Sequence, residues 1–194
     1  MTRFQNSIAI AKTKKSFLQQ ANVFSKQFGD YDINGEAFLF DLEGEDTFLL
    51  RQNIKDSFFS KIYRAECIVK IYDVKGFDDF DCKLQLKGMI GTKGSLVNIR
   101  GDKEYVNLFN QYKTLSKFNI LLREVQIETI TVNYSSDEEK LTVKITPYAG
   151  SMVWMIIPPI AYQVKIWDKE IESISKLINL IYDFTKQFQR DGEK

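Results

Sequence analysis

The sequence predicts an α+β protein: an antiparallel sheet, or sheets, with helices on one face, built from two βββα-like repeats after an N-terminal helix and hairpin. Three observations carry that reading. Several stretches alternate apolar and polar residues, as strands covered on one side do. Others place apolar residues at steps of three and four, as half-buried helices do. The order of these signals over residues 62–119 then recurs over 120–190. We expect residues 1–194 to form a single compact domain with three parts: 1–61 (helix plus hairpin), 62–119 (repeat one) and 120–190 (repeat two).

The first helix is marked by Phe17, Ala21, Phe24 and Phe28, spaced by four, three and four, with Gly29 as its stop. Residues 1–29 hold five cations (Arg3, Lys12, Lys14, Lys15, Lys26) and no acid, whereas residues 30–50 hold seven acids and no base. A hairpin is expected there, Ala37–Leu42 and Thr47–Arg51 about a Glu43-Gly44-Glu45 turn, with its acidic surface toward the basic helix.

Repeat one opens with a strand in which Tyr63, Ala65, Cys67, Val69 and Ile71 share one face, and Arg64, Glu66 and Lys70 the other. An acidic stretch, Asp78 to Asp81, leads to the strand Cys82-Leu84-Leu86. Gly94-Ser95-Leu96-Val97 opens a third strand. Repeat two follows the same order from Arg123, through the acidic turn Asp137–Glu139 and the strand Leu141-Val143-Ile145, to Gly150-Ser151-Met152-Val153. Each repeat ends in Asp-Lys-Glu and a helix: Tyr105, Leu108, Phe109, Tyr112 and Leu115 form one stripe, and Ile171, Ile174, Ile178, Ile181, Thr185 and Phe188 the other. Asp102 and Asp168 are the expected N-caps.

Composition removes whole classes of chemistry. The 194-residue chain has no histidine, so a histidine base, a Ser-His-Asp site and a His-ligated metal are excluded. Its two cysteines, Cys67 and Cys82, are too few for a zinc ribbon or an iron–sulfur cluster within one chain. Both fall on apolar strand faces and read as reduced core thiols, which would touch if their two strands paired directly. No apolar run reaches the roughly 18 residues of a spanning helix, and the start lacks the order of a secretory signal. We therefore expect a cytoplasmic protein without a membrane partner, and no cofactor. The Lys-, Asn-, Ile- and Phe-rich usage is associated with bacterial or phage genomes.

Three features compete as binding surfaces. Gly88 to Ser95 resembles a phosphate cradle only in its glycines. Lys93 precedes Gly94, and a strand instead of a helix follows, so the stretch reads as a hairpin turn. Lys83, Lys87, Lys93 and Arg100 supply a basic run on a strand face, which with Lys12, Lys14 and Lys15 of the first helix forms a candidate nucleic-acid surface. Against it, 27 Lys+Arg balance 26 Asp+Glu for a net charge of only +1. Finally, no charge occurs between Lys144 and Lys165. Met152, Trp154, Met155 and Tyr162 in that stretch are the candidates for an interface with another protein or a second copy of the chain. The acidic clusters read as solvated turns without a metal. The expectation is a non-catalytic protein-interaction or ligand-binding module, with nucleic-acid binding through the basic helix and basic strand face as the alternative.

Overall fold

The computed structural model describes residues 3–56, 58, 60–87, 93–111, 114–155 and 160–192. In chain order the elements are α1 (Arg3–Phe28), β1 (Tyr31–Asn34), β2 (Ala37–Asp41), β3 (Thr47–Asp56), β4 (Ser60–Ile71), β5 (Phe80–Lys87), β6 (Lys93–Gly101), α2 (Glu104–Gln111), α3 (Thr114–Glu124), β7 (Ile127–Ser135), β8 (Lys140–Pro147), β9 (Met152–Met155), β10 (Ile160–Gln163) and α4 (Asp168–Gly192). The strands form one ten-stranded, wholly antiparallel sheet in the order β1-β2-β3-β4-β8-β7-β5-β6, with β9 also on β4 and β10 on β9.

Alternation decides the facing. Phe48 and Leu50 of β3, Ala65, Cys67, Val69 and Ile71 of β4, Ile130, Val132 and Tyr134 of β7, and Leu141, Val143 and Ile145 of β8 enter one core. Phe17, Ala21 and Phe24 of α1, Tyr105, Val106 and Phe109 of α2, Phe118 and Leu122 of α3, and the Ile171–Phe184 stripe of α4 cover them. Among the described residues all four helices thus lie on one face of the sheet, and the other face carries none. The core is aromatic: Phe48 sits 5.2 Å from Phe24 and 5.1 Å from Phe40, ring centre to ring centre. Burying such a ring contributes about 2–3 kcal/mol.

The long strand β4 organises the sheet. One edge pairs with β3 over its whole length, from Asp56↔Lys61 to Thr47↔Lys70. Its other edge is shared: β8 pairs with Cys67–Ile71 and β9 with Ser60–Tyr63. The turn that makes the exchange, Tyr148–Ser151, is held by bonds from Tyr148 N–H to Gln126 C=O (2.9 Å) and Gly150 N–H to Val164 C=O (3.0 Å).

The structure corrects several expectations. The β7–β8 hairpin lies between β4 and β5, so Cys67 and Cys82 are not on adjacent strands. Residues 72–79 are accordingly a crossover past the hairpin tip and not a hairpin turn. Asp79 accepts from the Ser136 N–H and hydroxyl, both at 2.7 Å, and Tyr134 donates to Val74 C=O at 2.6 Å. The repeat is not visible in the pairing either. In the first segment β5 pairs with β6 and β4 stands apart; in the second β7 pairs with β8 and β9 stands apart. Arg123 and Glu124 end α3 instead of opening a strand, while β1 and β10 are strands that alternation over such short spans did not reveal. Of the caps, Asp102 accepts from Glu104 N–H at 3.0 Å. At α4 the chain uses the reverse half of a capping box, Trp167 N–H to Glu170 at 2.9 Å, so Asp168 is the first helical residue and not the cap. The single stripe expected from Tyr105 to Leu115 is divided between α2 and α3, and Tyr112 lies outside the described residues.

Gly101 is required where it stands. Its φ is +76°, and a Cβ there would lie 1.8 Å from the Asp79 carbonyl oxygen, so only glycine lets β6 end against the start of β5. No helix among the described residues is long and apolar enough to cross a membrane.

Candidate functional site

The helix-free face of the sheet is built from the residues that alternate with the core. Because paired residues in an antiparallel ladder point the same way, the register reads off rows across it. One row runs Thr47, Lys70, Thr142, Asn133, Asp81, Arg100; the next runs Leu49, Ile68, Lys144, Thr131, Lys83, Val97. A third begins Arg51, Glu66, and a fourth pairs Asn53 with Arg64. Among the described side chains, the strands β3 to β6 place eight cations (Arg51, Lys55, Arg64, Lys70, Lys83, Arg100, Lys140, Lys144) and three acids (Glu66, Asp81, Glu128) on this face. Lys140 also pairs with Glu138 of the turn before β8, so the surface keeps a net excess of four positive charges. The chain's acids collect elsewhere, seven of them within residues 30–50.

All three acids on the face pair with its cations. Arg64 meets Glu128 at 2.7 Å and Arg100 meets Asp81 at 3.1 Å. Glu66 is the centre of the third group. Arg51 Nε donates to its Oε2 at 2.7 Å, Asn53 Nδ2 to its Oε1 at 2.7 Å, and Lys144 Nζ stands 3.6 Å from Oε1. Glu66 is only 3% exposed. That burial by itself would raise its pKa. The hydrogen bonds from Asn53 and Arg51, with the positive fields of Lys144 and Arg51, outweigh it and hold the carboxyl below the ordinary glutamate range.

A hollow of about 300 Å³ opens beside this group, lined by Asn53, Ile54, Lys55, Arg64, Glu66, Thr129, Lys144 and Thr146. It lies where β4 passes from one partner to the next. β9 leaves at Tyr63 and β8 begins at Cys67, so Arg64–Glu66 sit in the fork between them.

The residues singled out in the sequence fall in different places. Lys83 and Arg100 lie on the helix-free face. Lys87 and Lys93 pair with each other at the strand ends, and residues 88–92, expected as a turn, lie outside the described residues. Lys12, Lys14 and Lys15 are exposed on α1, which belongs to the helix layer, so the basic helix and the basic strand face do not form one surface. Met152 and Trp154 are buried with Tyr63, and Thr13 of α1 donates to the Met152 sulfur at 2.9 Å. They form a small core of their own that meets α1 at Thr13, not a free surface. Met155 is half-buried and Tyr162 is 62% exposed, on the open-face side of β9 and β10. Pro158 and Pro159 lie outside the described residues.

The thiols are buried and burial raises both; Cys82 is pushed up to about 12. Among the described residues no cluster of three or more Cys, Asp and Glu side chains could hold a metal. A second cavity, about 620 Å³, lies between α1, the start of α4 and the segment after β10, lined largely by Gln19, Gln20, Asn22, Gln163 and Ser16.

Of the charged residues on this face sequence reasoning picked out only Lys83 and Arg100; it missed Arg51, Lys55, Arg64, Lys70, Lys140, Lys144 and, at the centre, Glu66. In the chain Glu66 is one more outward residue of an alternating strand. The signal that could have pointed to it is Arg51 opposite, but that pairing needs the register of β3 on β4.

The family described as "Protein of unknown function (DUF3156)" matches residues 26–185. The chain belongs to that family. The DUF3156 match takes in every strand and hence every residue of the helix-free face described above, whereas Lys12, Lys14, Lys15 and the α1 side of the larger cavity precede it. No curated protein and no solved structure matches the chain.

Proposed function

We propose that this DUF3156 protein is a non-catalytic binding protein whose ligand is a single-stranded nucleic acid laid across the helix-free face of the sheet. The observation that carries the reading is the charge of that face, eight cations against three acids on a chain whose net charge is +1. A surface of this sign attracts a polyanion, and each phosphate it neutralises releases counterions. Hydroxyl and amide side chains stand between the charges (Thr131, Asn133, Thr142, Gln85), and these suit base edges better than an apolar partner. At the β10 end Tyr162 offers an exposed ring, the kind of platform on which an unpaired base stacks.

Anisotropy of a fluorescent oligothymidylate, and of the same length of duplex, tests this over a salt series. The expected result is binding at low salt that weakens steeply as salt rises and is stronger for the single strand. A triple variant, Lys70→Gln, Lys83→Gln and Lys144→Gln, should lose it. Absence of binding by the parent protein at low salt, or full retention by the triple variant, would overturn the reading.

A protein partner or a second copy of the chain is the second reading, favoured by the exposed Tyr162 beside half-buried Val153 and Met155. Native mass spectrometry discriminates the two: a dimer or a retained protein that is lost in Tyr162→Asp supports this one.

A further inference from the structure

We infer that the hollow at the fork of β4 is the centre of that surface, the seat of one backbone phosphate, and that Glu66 is the residue that positions its cations. This rests on the nucleic-acid reading above and adds to it a place and a device.

The place follows from the topology. Wherever two strands pair continuously, the face between them is closed by side chains in register. At the fork β4 has lost β9 and not yet gained β8, and the recess of about 300 Å³ forms there. Its rim carries Arg64, which also meets Glu128 at 2.7 Å, and Lys144, with Thr129 and Thr146 beside them. Two cations and two hydroxyls around a recess are the donor set a phosphate needs.

The device is the buried acid. A carboxylate below an anion site repels the ligand unless its charge is already spent, and that of Glu66 is spent on Arg51, Asn53 and Lys144. Arg51 uses Nε to reach Glu66, and its guanidinium carries four further N–H donors. Lys144 stands at 3.6 Å, held but not saturated, since an ammonium has three donors. Long cationic side chains ordinarily lose rotamer freedom on gripping a phosphate; here Glu66 has removed that freedom beforehand.

The experiment turns on sign. Glu66→Gln raises the charge of the face by one, so charge alone predicts tighter binding of oligothymidylate. The positioning role predicts binding weaker by roughly tenfold, because the amide presents N–H groups to donors that need an acceptor. A second comparison does not depend on that variant folding. Lys144→Gln and Lys83→Gln each remove one cation from the same row, and the fork makes the loss at Lys144 several times the larger. In a Glu66→Gln background that difference should shrink toward nothing. Thermal melts accompany each variant. If the parent protein fails to bind at low salt, the nucleic-acid reading falls and this inference with it. If the parent binds while Glu66→Gln binds as well or better, or the two lysine variants lose equally, the inference falls and the reading stands.

Discussion

The two faces of the sheet are written by alternate residues of the same strands, yet they have almost nothing in common. On β7, Ile130, Val132 and Tyr134 enter the core while Thr129, Thr131 and Asn133 look the other way. On β4, Ala65, Cys67, Val69 and Ile71 are buried under helices while Arg64 and Lys70 face solvent. The helix-side face holds its place by ring-on-ring packing. The other face has no helix to cover it and is instead ordered by charge-assisted hydrogen bonds around one buried acid. A two-layer fold thus leaves one sheet face unused by the core, and there side chains can change binding without changing the fold. Glu66 is the charged residue of the open face that is as buried as the core, with Ile68 and Thr146 buried on the same face.

The comparison breaks most visibly on the core side. Phe48→Ala removes a fully buried ring stacked on Phe40 and packed on Phe24 and Phe28. We expect a loss of about 3–5 kcal/mol in urea unfolding. Asp46 is next. Its buried carboxylate accepts Tyr72 N–H at 2.7 Å and the Tyr182 hydroxyl at 2.9 Å, and pairs with Lys186 at 2.7 Å, tying the β2–β3 turn to α4. Asp46→Ala should cost about 2–4 kcal/mol by the same measurement.

Glu66→Gln sharpens the contrast because it sits between the two behaviours. Its partners Arg51 and Lys144 are partly exposed and regain water, so the expected loss at neutral pH is about 1–2 kcal/mol, well below that of a sealed ion pair. The pH dependence has a definite sign. The carboxyl of Glu66 is held below the ordinary glutamate value of 4.5 in the folded protein. Its contribution is therefore complete above that value and is lost as pH falls through the lowered folded pKa. Urea midpoints across the acid range should fall less steeply for Glu66→Gln than for the parent, the two curves converging at the acid end.

The smallest effects belong to the open face itself. Lys83→Gln should change stability by no more than about 0.5 kcal/mol while weakening oligonucleotide binding and lowering its salt slope. The thiols provide a control on the other side: Cys67 and Cys82, buried and raised in pKa, should both resist a thiol-reactive dye at pH 8 until the protein is unfolded.

Much of this molecule was legible residue by residue. The α1 face of Phe17, Ala21 and Phe24, the α4 stripe, the β2–β3 hairpin and the inward residues of β4 and β8 all follow from periodicity, because burial on one side of a local element leaves its period in the chain. The reduced core setting of both cysteines followed in the same way. Charge was harder. The near balance of 27 cations and 26 acids conceals the basic face, since the acids lie mainly in the β1–β3 region and in turns. The apolar run around Trp154 was readable as a strand, but not as one whose inward residues Met152 and Trp154 are buried with Tyr63, with Met152 meeting Thr13 of α1, 139 residues away in the chain.

The sequence by itself determined the fold class, the facing of most strands, the helix stripes and the chemistry that a chain without histidine lacks. Tertiary structure alone decided which strands are neighbours. The β7–β8 hairpin enters between β4 and β5 because strand pairing is made by backbone groups that every residue shares, so the partner is chosen by the packing of the whole sheet and not by any local pattern. That choice created the fork in β4, set Arg51 and Lys144 around Glu66, and gathered cations from five separate strands onto one face.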